Sequence, residues 1–122
     1  MRNKPDSLPA AVRASVTNAA RCGAIAALDV LDSEDDADFD RLARLAASIF
    51  DAPISAITIV DAERQWFKAR HGLSLRETPV EASFSAHAIA DKRNRCMFVA
   101  DASKDARFAT NPLVIGAPGI RF

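Results

Sequence analysis

The chain has 122 residues, enough for one hydrophobic core and too few for two. Sixteen basic residues balance sixteen acidic ones, so no net field draws the chain to nucleic acid or to an anionic membrane. Hydrophobic residues make up 49% and charged residues 26%, an ordinary globular balance, and no apolar run approaches the roughly 20 residues that a membrane-spanning helix needs.

The start, "MRNKPDS", is polar and is expected to fray. It lacks the continuous apolar stretch of a signal peptide, so the expected location is the cytoplasm. Cys22 and Cys96 form no C-x-x-C pair, which predicts reduced thiols and no metal site. From Leu8 to Leu28 an alanine-rich segment predicts one long helix opened by Pro9 in its first turn. Val12, Val16, Ala19, Ala20, Gly23 and Ala27 give it a stripe of small residues suited to close helix contact or dimerisation. The acidic run "DSEDDADFD", Asp32 to Asp40, lacks the mid-loop glycine and final glutamate of a calcium loop. It reads instead as carboxylates gathered at a helix N-terminus, where the helix dipole favours them. Phe39, Leu42, Ala43, Ala46, Ile49 and Phe50 then recur at helical spacing. They predict an amphipathic helix ended by Pro53, its apolar stripe buried on a sheet and Asp40 paired with Arg44 outside.

Ile54 to Val60 is a strand uncharged on both faces, which predicts an interior position. Trp66 to Arg70 is its partner, ended by His71 and Gly72. "LSLRETPVEA" reads as a loop, "SFSAHAIADK" as a short helix and "CMFVAD", from Cys96, as a short strand. "ASKDARFATNP" reads as a helical turn ending before Pro112, and "IGAPGIRF" as the start of another strand. The order predicts an α+β fold with a mostly antiparallel sheet. No glycine-rich phosphate loop is present.

The stretch "SFSAHAI", Ser83 to Ile89, sets Ser85 and His87 in an apolar run. On a helix, residues two apart project to different faces. On a strand they sit roughly 6–7 Å apart, while a serine and its base need about 2.6–3.2 Å. The two are therefore a poor nucleophile–base pair, whereas Ser83 and His87, four apart, could touch on one helix face. Ser83 reads as a helix N-cap, and Ser85 as a ligand donor or a plain helix residue. His87 is a structural histidine or a ligand contact, and Trp66 is strand packing or a pocket wall. Phe84 and Phe108 are core or pocket lining. Asp101 reads as the cap of the following turn. Arg70 and Arg107 are solvated charges or partners for an anion.

Several motifs together carry a resemblance: Asp61 with "RQWFK", "RETP", "SFSAHAI", "VADA" with "DARFA", and "NPLV" with "IRF". With them the chain resembles a GAF domain, of the bacterial subgroup found ahead of histidine kinases and diguanylate cyclases. The resemblance divides the chain into an N-terminal helical extension, 1–23, and a partial GAF domain, 24–122. It implies an antiparallel sheet with helices packed on one face and a ligand pocket on the other. "SFSAHAI" matches the helix that roofs the pocket, and "DARFATNPLV" the segment that closes over it. The pocket candidates are Trp66, Phe84, Ser85, His87 and Phe108, with no catalytic residue, no metal and no named cofactor.

The function so implied is regulatory sensing of a small molecule by a bacterial signalling protein, without catalysis. Its expected partners are an unidentified small-molecule ligand, a second copy in a homodimer, and a histidine kinase or diguanylate cyclase output domain in the same chain or another. Nucleic acid and membrane are not expected partners. The alternative is a ligand-free dimerisation scaffold. A third reading is a degenerate relative of the GAF proteins that reduce free methionine sulfoxide. Ser85 stands where the subgroup commonly has cysteine, and a hydroxyl cannot enter disulfide exchange, so that activity is not expected. The signatures of cyclic-nucleotide and bilin-binding GAF domains are absent. The family pattern continues past Phe122 into further strands and a helix. Ile54–Val60 is therefore expected to show an unpaired edge, to be met by more polypeptide or by a second chain.

Overall fold

The computed structural model describes residues 8–122; the polar start, 1–7, and its expected fraying lie outside them. The alanine-rich segment predicted as one helix is two, α1 (Ala10–Val16) and α2 (Ala19–Leu28). The break lies at Thr17 and Asn18, whose short polar side chains compete with a continuing helix. The Thr17 hydroxyl donates to the Arg13 carbonyl at 2.7 Å, and the Asn18 side chain accepts from the Arg21 N–H at 3.0 Å, capping a new helix. Pro9 is the N-cap of α1 rather than part of its first turn. Arg21 ties the break to the sheet: its guanidinium donates to the carbonyls of Ser15, Val16 and Val60.

Helix α3 (Ala37–Ile49) is capped by Asp36, which accepts from the Asp38 N–H at 2.8 Å. Its ion pair joins Arg41 to Asp38, not Asp40 to Arg44 as predicted. The expectation of a buried Phe39–Phe50 stripe is also corrected. Ala43 and Ala47 are the buried residues, whereas Leu42 is 55% and Phe50 79% exposed. The helix packs on the sheet along a line of alanines, i to i+4, which lets the backbones approach closely. The larger side chains, Leu42, Leu45, Ile49 and Phe50, lie off that line and face outward.

The sheet is antiparallel, in the order β1-β2-β3, from β1 (Ser55–Val60), β2 (Arg64–His71) and β3 (Glu77–Pro79). With the helices it gives the α+β fold that the sequence predicts. The third strand comes from the segment read as a loop. β1 stands at the sheet edge among the described residues, so it is not flanked on both sides as its uncharged faces predict. Gly72 closes β2 with φ +71°, and a Cβ there would lie 1.9 Å from the Pro53 carbonyl oxygen, so only glycine lets the chain pass.

A 3₁₀ turn (Val80–Ala82) leads into α4 (Phe84–Ala90). "CMFVAD" is not a strand. It keeps an alternation, with Met97 and Val99 packed inward and Phe98 88% exposed, but it has no ladder partner among the described residues. Asp101 caps the 3₁₀ turn Ala102–Lys104 as expected, accepting from the Ser103 N–H at 3.0 Å. Pro112 starts a helix rather than following one: α5 (Pro112–Ile115) has Asn111 as its cap. "IGAPGIRF" does not form a strand; Ile120 N–H returns instead to the Leu113 carbonyl at 2.9 Å.

Two apolar clusters result. One joins α1 to β1 and α4 through Leu8, Val12, Val16, Val60, Val80 and Ala86. The other centres on Phe108, with Ala102 and Val114 and the partly buried Phe84, Met97, Val99 and Ile120. Helix α2 has no buried residue and runs across the 23/24 position.

Candidate functional site

Helix α4 is fixed to the sheet by a chain of buried hydrogen bonds. Ser83 caps it, as predicted, with Oγ accepting from the Ala86 N–H at 3.0 Å. The same hydroxyl donates to Gln65 Oε1 at 2.7 Å, and Gln65 Nε2 donates to Thr78 Oγ1 at 3.0 Å. The Thr78 hydroxyl in turn contacts the Pro79 carbonyl at 3.2 Å. Ser83, Gln65 and Thr78 are all buried, so α4, β2 and β3 form one rigid support.

On that support Phe84, His87 and Phe108 meet. The rings of Phe84 and Phe108 stack with centroids 4.3 Å apart, and His87 meets Phe108 edge-on at 4.9 Å. The Arg107 guanidinium lies 4.9 Å from the centroid of the Phe108 ring. Asp105 holds that guanidinium with two bonds, from Nε at 3.0 Å and Nη2 at 2.8 Å. The pairing holds the Asp105 carboxyl down at about 2. Burial, and then the Arg107 charge, push the His87 imidazole below its ordinary range, so the ring is neutral at physiological pH.

Beside His87 lies a cavity of about 480 Å³, within the usual size of small-molecule sites. Leu8, Leu75, Pro79, Ala82, Ala106 and Leu113 supply much of its apolar wall. Glu77, Glu81 and Arg107 bring charges to it. Asn111 ties one side of the wall together: its Oδ1 accepts from the Leu113 N–H at 2.8 Å and its Nδ2 donates to the Ala82 carbonyl at 3.0 Å.

Of the five residues singled out from the sequence, His87 lines this cavity. Phe84 and Phe108 form the aromatic cluster behind it. Ser85 is half-buried on α4, and the helix turns it away from His87, which removes the serine–base pairing on geometric grounds. Trp66 is buried on β2 and alternates to the face opposite its neighbour Gln65, away from α4. Leu8, Glu81 and Asn111 were not singled out. The Asn-Pro pair at 111 and 112 is a helix-start signal that could have found Asn111; nothing local points to Leu8. Among the described residues no helix is long and apolar enough to cross a membrane.

No family model matches the chain. Over 95 residues, 78% of its length, the chain is 45% identical to a cyclic di-GMP phosphodiesterase of Pseudomonas aeruginosa. It spans 16% of that protein. The similarity is compatible with a signalling protein, and it corrects the expectation of a chain without enzymatic activity: the chain is similar to part of a protein named for an enzymatic activity.

Proposed function

We propose that the chain is the small-molecule-sensing part of a cyclic di-GMP signalling protein, and that filling the cavity beside His87 sets the rate at which that protein hydrolyses cyclic di-GMP. The observation that carries the signalling role is the 45% identity with the phosphodiesterase. Support for the sensing role comes from where the cavity lies. It is lined by His87 of the stretch that resembles a GAF roof helix and by Ala106, Arg107 and residues Thr110 to Leu113 of the stretch that resembles its closing segment. On this reading residues 24–122 are the GAF-type domain and 1–23 its helical extension. A ligand acts by favouring one arrangement of α4 and the closing segment over another.

The test is an exchange. This chain replaces the matching stretch of the Pseudomonas aeruginosa protein, and cyclic di-GMP hydrolysis is measured with and without Ala106→Trp, which fills the cavity from its exposed wall. The expected result is retained hydrolysis whose rate changes with Ala106→Trp. Retained hydrolysis at the same rate in both would contradict the sensing role.

A second reading, a dimerisation scaffold, is favoured by a separate observation. Among the described residues one edge of β1 is unpaired and the outward apolar side chains of α3 are exposed, and α3 packs directly on β1. On this second reading the scaffold is ligand-free, and only the sensing reading predicts that filling the cavity changes the rate.

A further inference from the structure

The charged groups around the cavity already have partners within the chain. Glu81 receives Arg13 at 3.1 Å, and Glu77 lies 3.4 Å from Arg64, which Asp32 also grips at 2.8 Å. Arg107 is held along its Nε–Nη2 edge by Asp105. An anionic ligand would therefore face two carboxylates and one guanidinium whose Nε–Nη2 edge is already taken by a carboxylate. Withdrawing a charge from water is unfavourable unless a free opposite charge receives it.

Two of the neutral polar side chains, Thr78 and Asn111, are committed as well. The Thr78 hydroxyl joins Gln65 to Pro79, and both ends of the Asn111 amide are used to hold the wall. His87, neutral, offers one donor and one acceptor at the mouth of the aromatic cluster. The rest of the wall is mostly leucine, proline and alanine. Apolar walls with a few convergent polar atoms select ligands by shape and by those few atoms.

Resting on the ligand-sensing reading, we propose that this cavity takes an uncharged, largely apolar small molecule, with a hydrogen-bonding atom for His87, and does not take cyclic di-GMP. The protein would then report something other than its own substrate: the doubly anionic dinucleotide belongs to the catalytic side, and the cavity couples a chemically unrelated signal to it.

The experiment uses the purified 122-residue chain, its Ala106→Trp variant, and Nile red as an uncharged apolar probe. Ala106 is exposed, so the variant should keep the parent's melting temperature. The expected result is saturable Nile red fluorescence that weakens by about tenfold or more in Ala106→Trp, with no displacement by excess cyclic di-GMP. Displacement by cyclic di-GMP that Ala106→Trp abolishes would overturn the uncharged-ligand inference while leaving the cavity a sensing site. Nile red binding of equal strength in both proteins would place the probe on the exposed side chains of α3 and overturn both claims.

Discussion

Ser83 holds α4 to the sheet, and the sequence showed half of what it does. As a serine ahead of a short apolar helix it was legible as a cap; its bond to Gln65 joins positions 18 apart and has no local signature. Removing the hydroxyl deletes the cap and leaves a buried amide oxygen without its donor. Ser83→Ala is expected to lose about 2–3 kcal/mol in urea unfolding, and a loss under half of that would mean the buried chain is not a support. His87 gives a second expectation at this scale. Its folded pKa lies below the ordinary 6.5, so below that pH the unfolded chain takes up a proton that the folded chain resists. Stability should fall as pH drops through 6.5 toward the lowered value, and the loss is complete below it. His87→Asn should flatten that part of the profile; an unchanged slope would show that another group causes it.

The helices show where periodicity informs and where it misleads. Helix α3 was legible because apolar residues recur at helical spacing, but the pattern did not show which of them meet the sheet. The alanines do, since small side chains permit the closest approach, and the bulky ones stay outside. Leu42→Asp is therefore expected to change stability by no more than about 0.5 kcal/mol in this chain. Ala43→Asp, at a position 1% exposed, places a charge against the sheet and should cost several kcal/mol, enough to prevent folding. Comparable melting temperatures for the two variants would reject the packing line. The break between α1 and α2 rests on Thr17 and Asn18, ordinary helix-competing residues whose effect disappears in an alanine-rich average. β3 was missed because three residues carry no periodicity of their own; its pairing comes from β2. Met97 to Val99 went the other way, with a strand's alternation and no neighbour to pair with.

At the scale of the whole molecule, α+β order and the antiparallel sheet could be read from the sequence, and "SFSAHAI" was singled out as the stretch of a candidate site. The wall of that site could not be read, because it is assembled from Leu8, the β3 segment and the stretch from Ala106 to Leu113, which lie far apart in the chain. The open edge of β1 beside the exposed apolar side chains of α3 should make the 122-residue chain associate. Light scattering is expected to give a dimer or a larger species, and Leu45→Lys with Ile49→Lys to shift it toward monomer; a monomeric parent would contradict this. Native mass spectrometry of the purified chain asks whether the cavity beside His87 holds a small molecule. The account predicts added mass from an uncharged small molecule on the parent chain and its loss in Ala106→Trp. The same added mass on both proteins, or an unliganded mass for the parent even after incubation with Nile red, would contradict it.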